Sequence, residues 1–384
     1  MSNMAHNLER KAFGAAVDYT LGKVKKDREK GLLQILDLTQ KFMGNNFQKE
    51  SYEAARKMIE NSDGKWMQYV NRLLDEVDPH VAKMTALNLG FEAAFYGTKT
   101  IRSMREIHQC NIPWLILMDP TSACNLKCTG CWAAEYGHKM NLTYEELDSI
   151  ITQGKELGIY FYMYTGGEPL VRKDDIIRLC EKHNDCAFHA FTNGTLVDEK
   201  FCQEMRRVGN LSLAISLEGF EEVNDLRRGG GTFDRVMHAM DLLKASGQIF
   251  GTSICYTSKN ISTVTSDEFL DMIIEKGCRF AWYFHYMPVG NDAAVELLPS
   301  REQREYMYHR IREIRAKEGG KQIFAFDFQN DGEFVLYCGR KELLSHQSKR
   351  RCGALCIYPL FRREHPGEKP AGVSEAAVVY GVPE

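Results

Sequence analysis

Trp114-Leu-Ile-Leu-Met118-Asp-Pro-Thr-Ser-Ala-Cys124-Asn-Leu-Lys-Cys128-Thr-Gly-Cys131 joins a short apolar run to three cysteines. The run 114–118 is bounded by Asp119-Pro120 and reads as a buried strand entering a loop. All three thiols fall in that loop. A [4Fe–4S] cluster normally takes four cysteine thiolates. Three local ones with no fourth close by leave one iron open, and an open iron can chelate the amino and carboxylate groups of a ligand. The competing reading is a structural zinc knuckle, which normally needs paired C-x2-C units or a nearby histidine. His138 is the histidine that spacing offers for it. Spacing alone leaves both readings open.

The same alternation of short apolar runs with helical patterns continues outward from this loop. Runs at 160–164, 187–192, 211–216, 250–255 and 280–286 are separated by amphipathic segments near 144–157, 174–183, 198–208, 233–245 and 268–276. Thr143 with Glu146, and Ser300 with Gln303, fit capping boxes that open helices. A further apolar run lies at 323–328. Strict alternation of strand and helix implies a parallel sheet. Six units without long interruption suit an α/β fold: a partial (β/α)6 TIM-like barrel, open rather than closed at eight strands. In such folds the chemistry sits on the loops after the strands. Residues 1–110 read as all-helical, with a stripe at Leu32, Leu33, Ile35, Leu36, Leu38 and Phe42, and are expected to form a bundle or cap. The division is therefore 1–110 helical, 111–330 barrel, and 331–384 irregular tail.

C-x3-C-x2-C followed by the aromatic Trp132 resembles the signature of the radical S-adenosylmethionine (SAM) superfamily. A second match, Thr165-Gly166-Gly167-Glu168-Pro169, falls one β/α unit later. The resemblance spans about residues 112–330. It implies a [4Fe–4S] cluster on Cys124, Cys128 and Cys131, and SAM as the second cofactor. It also implies that the backbone of Gly166, Gly167 and Glu168 holds the SAM amino group. Glycines there fit close backbone approach to a ligand. Asn193, after the third run, is a weaker candidate whose Asn-Gly context equally makes a plain turn. Ser216 and Glu218, after the fourth run, would meet the SAM ribose. Met287, after the sixth, would meet adenine, with core packing as the competing reading. Arg228 resembles a family Arg-Gly segment that pairs with the SAM carboxylate, although a surface arginine before Gly229-Gly230-Gly231 is the plainer reading. Asp327 and Asp331 are placed where a proton acceptor could sit, but read as solvated carboxylates.

The implied activity is reductive cleavage of SAM to a 5′-deoxyadenosyl radical, which abstracts hydrogen from a substrate. The donor would be a low-potential protein such as a ferredoxin or flavodoxin; the substrate stays open, and is a peptide or protein if a SPASM auxiliary region belongs to the lineage. Rival readings are a non-catalytic Fe–S or zinc-binding protein, or an inactive remnant. With a net charge of −3 over 384 residues, nothing supports a general nucleic-acid or membrane-surface role. No apolar stretch is long enough to span a membrane. The polar start lacks a signal peptide's apolar core, which points to the cytoplasm and makes disulfides a poor use for twelve cysteines. Cys110, Cys180, Cys202, Cys255 and Cys278 fall in apolar or helical runs and are expected as buried thiols.

From about Leu336 the periodicity is lost and a basic run, Lys349-Arg350-Arg351, appears. Cys338, Cys352 and Cys356 suggest a second cluster. A different reading is preferred. With suitable synonymous codons, 337–369 can be read in a shifted frame without a stop, and a cysteine can precede it. The product has the pattern C-x13-G-x4-C, which resembles the entry of the SPASM auxiliary region that follows such barrels. On that reading the tail is out of frame and its three cysteines are accidental.

Overall fold

The computed structural model describes residues 3–331 apart from 25, 44–48, 132, 134–139, 290–292 and 317. Trp132, His138 and the tail with Cys338, Cys352 and Cys356 therefore lie outside the described residues. Seven parallel strands form one sheet in sequential order. They are β1 (Leu115–Met118), β2 (Phe161–Tyr164), β3 (Ala187–Thr192), β4 (Leu211–Ser216), β5 (Phe250–Tyr256), β6 (Phe280–His285) and β7 (Phe324–Asp327). β1 and β7 are both edges, so the barrel is open. The architecture is the expected α/β partial barrel, six β/α units followed by an added edge strand. The run at 323–328 supplies that strand, pairing with β6 from Phe280↔Phe324 to Tyr283↔Asp327.

Six helical segments return the chain between strands. They begin with α7 (Tyr144–Glu156), α8 (Lys173–Lys182) and α9 (Glu199–Val208). The fourth return uses α10 (Glu221–Arg228) and α11 (Thr232–Ala245), and the fifth α12 (Ile261–Val264) and α13 (Asp267–Glu275). α14 (Arg301–Arg315) makes the last. Both capping boxes are present. Thr143 Oγ1 accepts from Glu146 N at 3.1 Å and Ser300 Oγ from Gln303 N at 3.2 Å. Successive strand side chains face opposite sides. Ile116, Tyr162, Tyr164, Phe188, Leu213, Ile215, Ile254 and Tyr283 face the helices in the main core and are almost wholly buried. Each such side chain contributes about 1.5–3 kcal/mol.

The other face lines the lumen, and its composition lets the sheet curl. β3 and β6 are separated by two strands, yet His189 lies 5.6 Å from Phe280 and Phe191 lies 5.9 Å from Trp282, ring centre to ring centre. Between them, β4 and β5 present Ala214 opposite Gly251. A Cβ on Gly251 would sit 2.4 Å from the Phe280 ring, so only glycine admits the ring there. The floor is thus a packed aromatic layer. His189 Nδ1 pairs with Ser212 Oγ at 2.9 Å, and burial pushes the imidazole down to about 3, so the ring stays neutral.

Every element among the described residues up to 108 is a helix: α1 (Asn3–Val24), α2 (Arg28–Met43), α3 (Lys49–Glu60), α4 (Lys65–Glu76), α5 (Pro79–Thr85) and α6 (Thr98–His108). Wide π-helical turns at Ala86–Gly97 join the last two. These helices pack on the turns that lead into the strands. Asp78 N donates to Gly247 O at 2.9 Å, Asn88 Nδ2 to Cys186 O at 2.8 Å, and Arg279 pairs with Glu76 at 2.7 Å. They cover the strands' N-terminal end and leave the C-terminal mouth to the loops. Among the described residues, no helix is long and apolar enough to cross a membrane.

Candidate functional site

The three cysteines occupy the loop after β1, at the C-terminal mouth. Leu126 N donates to Cys124 Sγ at 3.4 Å, Cys131 N to Cys128 O at 3.2 Å, and Thr129 N to Arg227 O at 2.9 Å, which ties the loop to the end of α10. Burial pushes the Cys124 and Cys128 thiols up. At Cys128 the Arg228 guanidinium, 3.9 Å from Sγ, opposes that effect. Among the described residues, no three histidine, cysteine or acidic side chains gather closely enough to hold one metal ion.

The loop after β2 is joined directly to the cysteine loop. Gly167 N donates to Thr121 O at 2.9 Å and Glu168 N to Ala123 O at 2.8 Å. Gly166 has φ of +103°, and a Cβ on it would lie 2.6 Å from Thr121 O. On Gly167 it would lie 2.3 Å from Ala123 O. The close approach that these glycines permit is therefore to the cysteine loop's own backbone, where the sequence suggested a ligand. With these N–H groups engaged, what the segment can offer an amino group is carbonyl oxygen. Glu168 is buried, and its oxygens accept from Leu170 N (2.9 Å), Thr192 Oγ1 (2.7 Å) and Asn193 N (2.7 Å). Its side chain is a brace between strand ends.

Asn193 braces the same corner. Its Nδ2 donates to Asn125 Oδ1 at 2.8 Å, and its Oδ1 accepts from Thr195 N at 2.9 Å. Ser216 is half-buried on the lumen face. Glu218 is fully buried and paired with Arg227 at 2.7 Å and with Arg228. One Glu218 oxygen takes both arginines while Oε2 has no partner, an orphaned acceptor beside the cysteine loop. Arg228 is thus not the surface arginine that the adjacent glycines suggested, because a carboxylate ten positions earlier draws it inside. Met287 is 54% exposed, which rules out core packing at that position. Asp327 and Asp331 are not solvated. Asp327 lies on the helix-facing side of β7 and accepts from Asn330, and Asp331 holds Arg315 at 2.9 Å. Cys110 and Cys255 are only half-buried, unlike Cys180, Cys202 and Cys278. Cys255 faces the lumen, where an adjoining run of strand residues made a buried thiol the natural expectation.

Sequence reasoning passed over Asp119 as a site residue. It follows Leu115 and Leu117 on the lumen-facing side of β1, so strand parity could have found it. Asn125 and Arg227 were also missed, since nothing local marks a partner that comes from another loop.

Residues 118–273 match the model of the radical SAM superfamily. The chain carries a radical SAM domain. The matched stretch holds the three cysteines, Gly166–Glu168, Asn193, Ser216 and Glu218, and stops short of Met287. The chain is similar to Fe-coproporphyrin III synthase of Methanosarcina barkeri, 25% identical over 231 residues that make up 58% of this chain and 57% of that protein. It is also similar to mycofactocin maturase MftC of Mycolicibacterium smegmatis, 26% identical over 208 residues, 51% of each. The crystal structure of Streptococcus suis SuiB bound to precursor peptide SuiA shares the fold at a TM-score of 0.51 and 17% identity, over 64% of this chain and 56% of that one. The chain spans about half the length of the curated relatives it matches. Radical SAM domains imply SAM and an iron–sulfur cluster as cofactors.

Proposed function

We propose that this chain is a radical SAM enzyme acting on a peptide or protein. Cys124, Cys128 and Cys131 would hold a [4Fe–4S] cluster, and the strand ends would hold SAM. Together these supply a 5′-deoxyadenosyl radical for hydrogen abstraction, once a low-potential donor such as a ferredoxin or flavodoxin provides an electron. The chain's own part is to bind and orient. Carbonyls of Gly166 and Gly167 accept from the amino group, and Glu168 and Asn193 keep the two loops in register. Ser216 and the orphaned oxygen of Glu218 accept from ribose hydroxyls, and Met287 offers apolar surface to adenine. The aromatic floor closes the lumen beneath and excludes water from the cleft. SuiB, the fold neighbour whose structure holds its precursor peptide SuiA, supports a peptide substrate. A frameshift after residue 336, ahead of a lost SPASM region, fits the same lineage, with 1–110 as cap, 111–330 as barrel and a cytoplasmic setting.

The observation that carries this reading is the direct hydrogen bonding of the Gly166–Glu168 loop to the three-cysteine loop, which makes the two motifs one unit at the mouth. Anaerobic reconstitution tests it. The protein should bind about four irons and convert SAM to 5′-deoxyadenosine under dithionite, and alanine at any of the three cysteines should abolish both. Stoichiometric zinc without iron, or iron without 5′-deoxyadenosine, would refute it.

A further inference from the structure

A cavity of about 490 Å³, in the range of small-molecule sites, lies between the sheet and α14 at the strands' C-terminal end. Tyr256 and His285, the last residues of β5 and β6, form its inner wall, and Arg301, Arg304 and Glu305 of α14 its outer one. The two arginines are three positions apart, so they are neighbours on one face of the helix. The other arginines of α14 have acceptors. Arg310 donates to Thr265 O at 3.0 Å, Arg312 to Tyr308 O at 2.7 Å, and Arg315 holds Asp331. The guanidiniums of Arg301 and Arg304 have no hydrogen-bond or ion-pair partner among the described residues.

That arrangement is unfavourable without an anion. Like charges one turn apart repel, and the first turn of a helix carries the positive end of its dipole. Glu302, the acidic residue of that turn, accepts from Ser300 Oγ at 2.7 Å and does not line the cavity. Asp327 and Asp331 are taken by Asn330 and Arg315. The lining therefore sets two guanidiniums against one carboxylate, that of Glu305. The Tyr256 hydroxyl, with no partner among the described residues, adds a neutral donor. Burial, and after it Arg304, hold His285 below the ordinary imidazole value. The geometry points to an oxyanion site outside the lumen, where Arg301 and Arg304 grip the carboxylate or phosphate of a larger molecule. Consecutive residues of a strand face opposite sides. His285 lines the cavity, and the next residue, Tyr286, reaches the cysteine loop, where a Cβ on Gly130 would lie 2.5 Å from its hydroxyl. A ligand seated there lies beside the mouth without entering it. The site does not depend on the radical SAM reading.

Isothermal titration calorimetry of the full chain provides the test, with inorganic phosphate and succinate as probes and chloride holding the ionic strength constant. At least one probe should bind saturably. Tighter phosphate marks a phosphate-bearing ligand, and tighter succinate a carboxylate-bearing one. Arg301→Gln and Arg304→Gln should each weaken that binding by about tenfold or more, the loss of a charge-assisted bond. Glu305→Gln removes the opposing carboxylate and should tighten it, a gain that a misfolded variant could not show. Both arginines are exposed, so the variants should unfold at the wild-type temperature. Saturable binding of neither probe, or binding that both arginine variants leave unchanged, overturns the proposal. Neither result touches SAM cleavage, which is assayed separately.

Discussion

Replacing Glu168 with glutamine tests whether this carboxylate braces the mouth of the barrel. Its Oε1 accepts from Leu170 N and Thr192 Oγ1, and its Oε2 from Asn193 N, all within 2.9 Å. Glutamine has one acceptor atom where glutamate has two. If the amide nitrogen takes the Oε2 place, it meets the Asn193 N–H donor to donor. If it takes the Oε1 place, the Thr192 hydroxyl can turn to accept, but Leu170 N–H loses its partner. Either way one buried backbone donor is left unmade, at a cost of about 1–3 kcal/mol. Alanine removes all three acceptor contacts and should cost about 3–6 kcal/mol, which approaches the whole stability of many domains. Urea unfolding followed by circular dichroism measures both. Thr192→Val removes one partner of the same bond, so the double variant should cost less than the sum of the singles. Because Glu168 N also holds Ala123 O, the glutamine variant should release iron faster to a chelator. Glutamine within about 0.5 kcal/mol of wild type, with additive Thr192→Val, would refute the brace.

Two other outcomes follow from the geometry. In the ligand-free protein, Asp119→Asn should become the more stable form as pH rises. The folded-state value of about 6 exceeds the ordinary carboxylate value of 3.8, so the stability contribution is present below about pH 4 and lost as pH climbs through 6. The difference at neutral pH is at most about 3 kcal/mol, and equal melting temperatures for the two proteins at pH 7.5 would contradict it. Resequencing the gene should reveal an insertion or deletion near the codons for Val335 and Leu336, with the shifted frame open beyond it. A clean sequence whose shifted frame soon meets a stop would sink the frameshift reading.

The alternation of strand and helix was legible because it is written in local composition. β1, β2 and β4 are short apolar runs, and the two capping boxes that open α7 and α14 are encoded within four residues each. The seventh strand was visible only as an apolar run, because its place in the sheet depends on pairing with β6. The cysteine loop and Gly166-Gly167-Glu168-Pro169 were legible as motifs, but the contact between them was not. The glycines announce a close neighbour without saying that it is the backbone of Thr121 and Ala123. Arg228 was misjudged for the same reason as Asp327 and Asp331. A charged residue's burial is decided by a partner, and the partners of these three are reached only once the chain has folded.

Those partners also bear on the loop's chemistry. Arg227 and Arg228 are both pulled under the surface by Glu218, and the buried Glu168 carboxylate also acts on Arg228, which places the pair in a desolvated corner beside Cys128. Buried charges without partners are expensive, several kcal/mol even after relaxation. The same two guanidiniums favour the thiolate form of Cys128 against the effect of burial. The arginine pair therefore makes sense beside a cysteine loop that works as thiolates.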